Sequence, residues 1–189
     1  MKRIGILGGT FNPPHLGHLI IAEYVREELG LEEVWFIPTY EPPHKQKAGV
    51  DAIQRVEMVE RAIENHSSFK LNNIEINRSG KSYTIDTILK LKQKNPNHKY
   101  YFIIGGDMVE YLPYWRQIDK LIHHLAFVGV KREGYSLESP YPITKVDVPL
   151  IDISSTMVRN RLIDGKSIKY LVPESVYSYI KEYRLYESE

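Results

Sequence analysis

Apolar residues run from Ile4 to Leu7, stop at Gly8-Gly9, and return after Thr10-Phe11-Asn12-Pro13-Pro14 as a helical segment near Leu16–Leu29. This is a short buried strand, a glycine-rich exit, and a helix that starts behind two prolines. Its first turn carries His15 and His18, three residues apart and so on one face. A helix start points unpaired N–H groups and the positive end of its dipole at one spot, and the two imidazoles add movable donors there. The unit therefore dictates a strand leaving a sheet into a covering helix, and it builds a natural cradle for phosphate at the join.

The same alternation continues along the chain. Glu33–Ile37 reads as a second strand, and residues 39–50 as a polar loop. Asp51 can cap a helix reaching about Glu64, with Ile53, Val56, Val59 and Ile63 at helical spacing. Phe69–Ile76 reads as extended, and Ser82 as the cap of a helix carrying Ile85, Ile88, Leu89 and Leu91. Tyr100–Ile104 is a strongly apolar strand that ends in Gly105-Gly106-Asp107. Leu125–Val130 and the weaker Ile143–Val148 read as further strands, with a surface loop at 135–142 between them. Helices over Ser155–Ile163 and Glu174–Tyr183 close the chain. Strands alternating with helices predict an α/β, Rossmann-like, doubly wound and mostly parallel sheet with helices on both faces. Ligands of such sheets bind beyond the carboxyl ends of the strands, where strand order reverses. The stretches 8–18 and 105–107 both follow strand ends, so they are expected to meet there.

Composition narrows the classes. The chain has 189 residues, a formal net charge of +1 and no cysteine. A single domain with a C-terminal helical segment from about 152 to 189 suits that length. The charge balance argues against a binder of polymeric nucleic acid. No apolar stretch is long enough to span a membrane, and the Met1-Lys2-Arg3-Ile4 start is cut short at Gly8 before it resembles a leader. Without cysteine there is no disulfide, thiolate zinc site or thiol nucleophile, which fits a cytoplasmic address.

Familiar nucleotide motifs fail on spacing. Gly5 lies inside the first strand and Gly8-Gly9 are adjacent, so Gly-x-Gly-x-x-Gly is not met, and Ile37-Pro38-Thr39 places no acid after the second strand. The Gly-x-x-x-x-Gly-Lys-Ser/Thr phosphate loop is absent too. Zinc at His15 and His18 would need a third protein ligand that nothing nearby supplies. A second anion site is written at Ile153-Ser154-Ser155-Thr156-Met157-Val158-Arg159. Either serine can cap the helix that follows, the free N–H groups of its first turn can take an anion, and Arg159 falls four residues after Ser155 on the same face. Asp164-Gly165 supplies its stop. Taken alone, this stretch reads more readily as a capped surface helix with a solvated arginine.

The two stretches together resemble the nucleotidyltransferases with a His-x-Gly-His signature. Gly8-Gly9-Thr10-Phe11-Asn12-Pro13-Pro14-His15-Leu16-Gly17-His18 matches their first signature and Ile153–Arg159 their second, Ile-Ser-Ser-Thr-x-x-Arg. The order is the expected one, and the resemblance covers nearly the whole chain. Among these enzymes the chain is most similar to the bacterial nicotinate-nucleotide adenylyltransferases, on the wording of the first signature, Pro42-Pro43-His44-Lys45, Gly105-Gly106-Asp107 and Pro113-Tyr114-Trp115.

The resemblance implies transfer of the adenylyl group of ATP to nicotinate mononucleotide, giving nicotinate adenine dinucleotide and pyrophosphate in NAD biosynthesis. It implies His15, His18 and Arg159 as catalytic residues. ATP is expected against Gly8, Gly9, Thr10, Phe11, His15, His18, Gly105, Asp107, Ile153, Ser154, Ser155 and Arg159. The mononucleotide is expected against Asn12, Lys45, Thr84, Trp115 and Arg116, with the Trp115 indole on the pyridine ring and the start of the helix at Thr84 receiving the carboxylate. Arg116 departs from the aromatic residue that many relatives carry after the tryptophan. Arg132 is a weaker phosphate candidate. Mg²⁺ is expected on the ATP phosphates and water, with no dedicated protein ligands. Phosphate monoester attack needs no protein nucleophile, which fits the lack of any Ser-His-Asp arrangement. The residues leave open a homodimer or higher homo-oligomer, a sister enzyme acting on nicotinamide mononucleotide or phosphopantetheine, and a nucleotide-binding regulator without turnover.

Overall fold

Because the apolar runs sit at strand spacing with helical segments between them, the chain builds one six-stranded sheet. The computed structural model describes residues 1–40, 50–78, 80–131 and 134–186. The strands are β1 (Arg3–Gly9), β2 (Glu33–Pro38), β3 (Phe69–Leu71), β4 (Lys99–Gly105), β5 (Ala126–Val130) and β6 (Ile143–Val146). They lie in the order β3-β2-β1-β4-β5-β6, and every pairing is parallel. The helices are α1 (Leu16–Glu28), α2 (Ala52–Ile63), α3 (Thr84–Lys94), α4 (Gly106–Tyr111), α5 (Ile118–Leu121), α6 (Ser155–Ile163) and α7 (Glu174–Glu182). This is the Rossmann-like doubly wound architecture expected from the alternation.

The strands are apolar almost without interruption because both faces of the sheet are covered. Ile4, Ile6, Ile37, Phe102, Ile104 and Phe127 point to the side packed by Ile85, Ile88 and Leu91 of α3 and by Val109 and Leu121. Leu7, Val34, Phe36, Ile103 and Val128 point the other way, onto Ala22 and Val25 of α1 and Val59 and Ile63 of α2. A third cluster joins Met58 on α2 to Val158, Leu162, Val176 and Tyr179 of the C-terminal helices. So α2 is sandwiched: one side meets the sheet, the other holds α6 and α7 against the body.

Helix ends follow local chemistry. Asp51 caps α2 through Gln54 N–H at 2.7 Å. At Gly30 and Gly165 the chain turns left-handed, at φ +56° and +66°, and closes α1 and α6 with paired bonds (Leu31 N–H to Arg26 O, Lys166 N–H to Arg161 O).

Three expectations are corrected. The extended reading of Phe69–Ile76 holds only to Leu71, because the Asn72 side chain accepts from Ile74 N–H at 3.1 Å and turns the chain into a 3₁₀ segment at Ile76–Arg78. The cap of α3 is Tyr83, not Ser82, which is buried. On α2 the inward stripe is Arg55, Met58, Val59 and Ile63, whereas Ile53 is 67% exposed, since a guanidinium occupies the position facing the strand ends.

Candidate functional site

The sheet opens at its carboxyl end. β1 pairs with β2 as far as Gly9↔Pro38, and β4 pairs with β5 as far as Gly105↔Val130. Between themselves β1 and β4 stop at Ile6↔Phe102. Beyond that point they diverge, and strand order reverses there, which creates the crevice expected of a doubly wound sheet. Gly8-Gly9 and Gly105-Gly106 stand on its two lips. A side chain at Gly8 would meet the Phe102 ring at 3.3 Å.

The turn after β1 is held from below. Arg55 is buried and donates from Nη1 to Thr10 O at 2.7 Å and Thr39 O at 2.8 Å, and from Nη2 to Tyr40 O at 3.1 Å. One guanidinium therefore pins the loops that leave β1 and β2, and its burial lowers its pKa from the ordinary arginine value. Thr39 N–H closes on Gly9 O at 2.9 Å. Phe11 takes a left-handed backbone, φ +50°, with its ring buried edge-on to His18. Phe11 can thus offer a ligand its backbone but not its ring.

His15 is the cap residue of α1 and His18 lies in its first turn; their rings stack at 3.7 Å. His18 Nδ1 accepts from His15 N–H at 3.1 Å, so in the neutral imidazole the proton sits on Nε2, which is then a donor. Gly17 between them has a specific reason to lack a side chain: a Cβ there would come within 3.0 Å of the His15 ring. The first turn of α1 holds no acidic residue. One N–H of the expected free set is already taken, since Leu16 N–H donates to Leu171 O at 2.9 Å.

The second signature comes directly onto the first. Ser154 caps α6, accepting from Met157 N–H at 3.1 Å. Ser155 Oγ donates to Pro13 O at 2.8 Å, and Arg159 Nη1 donates to Asn12 O at 2.8 Å. Arg159 Nη2 also reaches Thr156 Oγ1 at 3.1 Å. Ile153 O would lie 3.8 Å from a Cβ at Gly17, so the starts of α1 and α6 meet side by side. Two helix N-termini, two histidines and an arginine thus converge on one spot.

The other candidates lie on α4, on the segment that follows it and at the start of α3. Asp107 lies in the first turn of α4, whose cap is Gly105. Trp115 packs edge-on against Phe102 and Phe127, at 5.7 and 5.8 Å between ring centres. Arg116 places its guanidinium over the Tyr83 ring at 4.6 Å, with Asp86 4.0 Å away. It therefore stands beside the start of α3, where Thr84 is the first helical residue. Lys45 and Arg132 lie outside the described residues. Among the described residues no three His, Asp or Glu side chains gather as a metal-binding group.

Two site residues escape a reading of the sequence. Arg55 could have been found as the one charge on the inward stripe of α2. Tyr186, whose hydroxyl donates to Asn12 Oδ1, has no such signal, because nothing in its spacing foretells a return to the first motif from 174 positions away.

Comparison with known proteins agrees with this geometry. Residues 6–161 match the cytidylyltransferase-like family. The chain is 55% identical to the "Probable nicotinate-nucleotide adenylyltransferase" of Oceanobacillus iheyensis, covering 98% of this chain and 97% of that one. It is 50% identical to the nicotinate-nucleotide adenylyltransferase of Bacillus subtilis over the full length of both. In fold it is similar to Plasmodium falciparum nicotinic acid mononucleotide adenylyltransferase complexed with NaAD, at a TM-score of 0.83 and 23% identity, covering 98% of each chain. A chain with both signatures hydrogen-bonded together at a split parallel sheet, and matched end to end at this identity, belongs to the nicotinate-nucleotide adenylyltransferase family.

Proposed function

We propose that this chain is a cytoplasmic enzyme that transfers the adenylyl group of ATP to nicotinate mononucleotide, releasing pyrophosphate and forming nicotinate adenine dinucleotide. The observation that carries this reading is the convergence of α1 and α6, with Ser155 and Arg159 bonded to the carbonyls of Pro13 and Asn12. The mononucleotide phosphate attacks the α-phosphorus in line, and the bond to the bridging oxygen of pyrophosphate breaks. The attacking oxygen is already ionised near neutral pH, so the protein supplies positioning and charge stabilisation. His18 Nε2–H, with His15 stacked behind it, is the donor for the α-phosphate and its bridging oxygen. Ser155 spends its hydroxyl on Pro13, so its contribution to the outgoing phosphates is its main-chain N–H at the start of α6, beside that of Thr156. Arg159 uses two of its five N–H groups on protein oxygens and offers the remainder to the β- and γ-phosphates.

The donors gathered here are N–H and hydroxyl groups, which hold phosphate oxygens rather than a cation, so Mg²⁺ would be held by the phosphates and water. Bound there, the cation would supply charge neutralisation for the phosphates that Arg159 and the start of α6 hold. For the mononucleotide, the start of α3 with Arg116 beside it offers N–H groups and a guanidinium to a carboxylate, with Asp86 of the same turn as the competing anion. Trp115 offers an indole face for the pyridine ring.

The test is pyrophosphate release with Mg-ATP, offering nicotinate and nicotinamide mononucleotides in parallel and weighing the products. Preference for the acid is the expected result. Equal use of both would remove the carboxylate-reading role from the Thr84–Arg116 region, and release with neither would overturn the proposal.

A further inference from the structure

The chain beyond α7 is shaped to deliver one side chain. After Glu182 the helix closes with Leu185 N–H on Ile180 O at 3.0 Å and Arg184 N–H on Lys181 O. That closure puts Arg184 at φ +49°, a left-handed position where glycine is the usual residue. Leu185 then drops into the third hydrophobic cluster. Tyr186 follows at φ +65°, so two residues in three hold a backbone that L-side chains rarely adopt. Turned this way, Tyr186 reaches the first signature: its hydroxyl donates to the side-chain carbonyl Oδ1 of Asn12.

Asn12 is therefore held twice from the C-terminal part. Arg159 takes its main-chain oxygen and Tyr186 takes its amide oxygen. An amide whose oxygen is occupied by a hydroxyl is fixed in one of its two flips, and its –NH₂, a double donor, is what remains for an anion. The surroundings agree. The phenol is pushed toward its neutral form by burial, while the nearby Arg159 and Arg55 charges oppose that. A neutral hydroxyl is the state that can donate.

We propose that Tyr186 is a positioning residue for adenylyl transfer: its hydroxyl orients the Asn12 amide so that the –NH₂ meets the phosphate of the mononucleotide. This rests on the mononucleotide lying against Asn12 in the reaction proposed above. The tail after α7 thus belongs to the substrate site although it touches the first signature through one hydrogen bond.

The experiment is a double-mutant cycle between Tyr186→Phe and Asn12→Ala in the full chain, with steady-state kinetics for both substrates and thermal melting. Tyr186→Phe keeps the ring and removes the donor. The expected result is a rise of about 5- to 10-fold in KM for nicotinate mononucleotide, the scale of one neutral hydrogen bond. The KM for ATP and the melting temperature stay close to those of the parent. In the double variant the Phe substitution adds nothing to the loss from Asn12→Ala, because the hydroxyl acts only through that amide. Additive losses, an equal effect on both substrates, or unchanged kinetics in Tyr186→Phe would each overturn the assignment. Failure of the parent enzyme to make dinucleotide at all would instead overturn the reaction itself, so the two failures are told apart by the parent's own rate.

Discussion

The two helix starts that meet at the crevice are built in opposite ways. At α1 the working side chains meet each other: His15 caps, His18 lies three residues on, the rings stack, and Gly17 is bare because His15 occupies the space. At α6 the cap is equally local, but the working side chains look outward. Ser155 and Arg159 bond to carbonyls 142 and 147 positions earlier in the chain. The first start is a preformed donor pair. The second is a donor that also braces the loop carrying the first. Removing a group from one should cost chemistry; removing a group from the other should cost chemistry and assembly together.

That contrast can be broken by experiment. The largest effect is expected for His18→Ala. Turnover should fall about 100- to 1000-fold, the usual scale for one preorganised donor. The melting temperature should fall less than for Arg159→Ala, since the contacts given up, with His15 and Phe11, are local. A folded His18→Ala protein with normal turnover would remove it from the reaction, and a large fall in melting temperature would erase the difference between the two helix starts. Arg159→Ala comes next. We expect roughly 30- to 100-fold lower kcat/KM for ATP, and about 1–2 kcal/mol of lost stability by denaturant unfolding as Asn12 O loses its partner. Loss of activity without loss of stability would make Arg159 a pure phosphate ligand and deny the bracing role.

The smallest effect is expected away from both starts, at Glu75. This carboxyl is buried, accepts from Thr87 Oγ1 at 2.7 Å, and is raised above its ordinary 4.5 mainly by burial. A carboxyl whose folded pKa is raised binds its proton more tightly when folded, so the unfolded state is the more ionised one. Stability is therefore lost as pH climbs from about the ordinary value through the raised one. Glu75→Gln should flatten that descent, raise stability at neutral pH, and leave activity alone. A pH–stability profile identical to the parent's would show that Glu75 carries no such penalty.

How much could be read in advance follows the same division. Local devices were legible: the strands, the capped start of α2 at Asp51, the stop at Gly165, and the Ser155–Ile163 helix all depend on neighbours in sequence. Both signatures were legible as anion sites for the same reason. What was hidden depends on partners far along the chain. Ile53 fits a helical stripe as well as Met58 does, yet it is exposed because α2 turns Arg55 toward the strand ends and Met58 toward α7. Ser154 and Ser155 were interchangeable as caps until Ser155 was seen to reach Pro13. Asn72 cut short an extended run through its own side chain, a signal present in the sequence but outweighed by the apolar residues around it.

Arg55 has a consequence for how substrates arrive. Its three bonded partners are carbonyl dipoles, which hold Nη1 and Nη2 without cancelling the charge, while the buried Nε has no hydrogen-bond partner. A full positive charge sits under the loop that carries the first signature, shielded from water by its own burial. Both substrates of the proposed reaction are polyanions. In a low-dielectric wall such a charge projects its field outward, and salt limits the reach to about 8 Å at physiological ionic strength. Capture of the nucleotides is thus coupled to the ionic medium by a residue that need never touch them, and a neutral replacement that kept the loops in place would slow the encounter while sparing the chemical step.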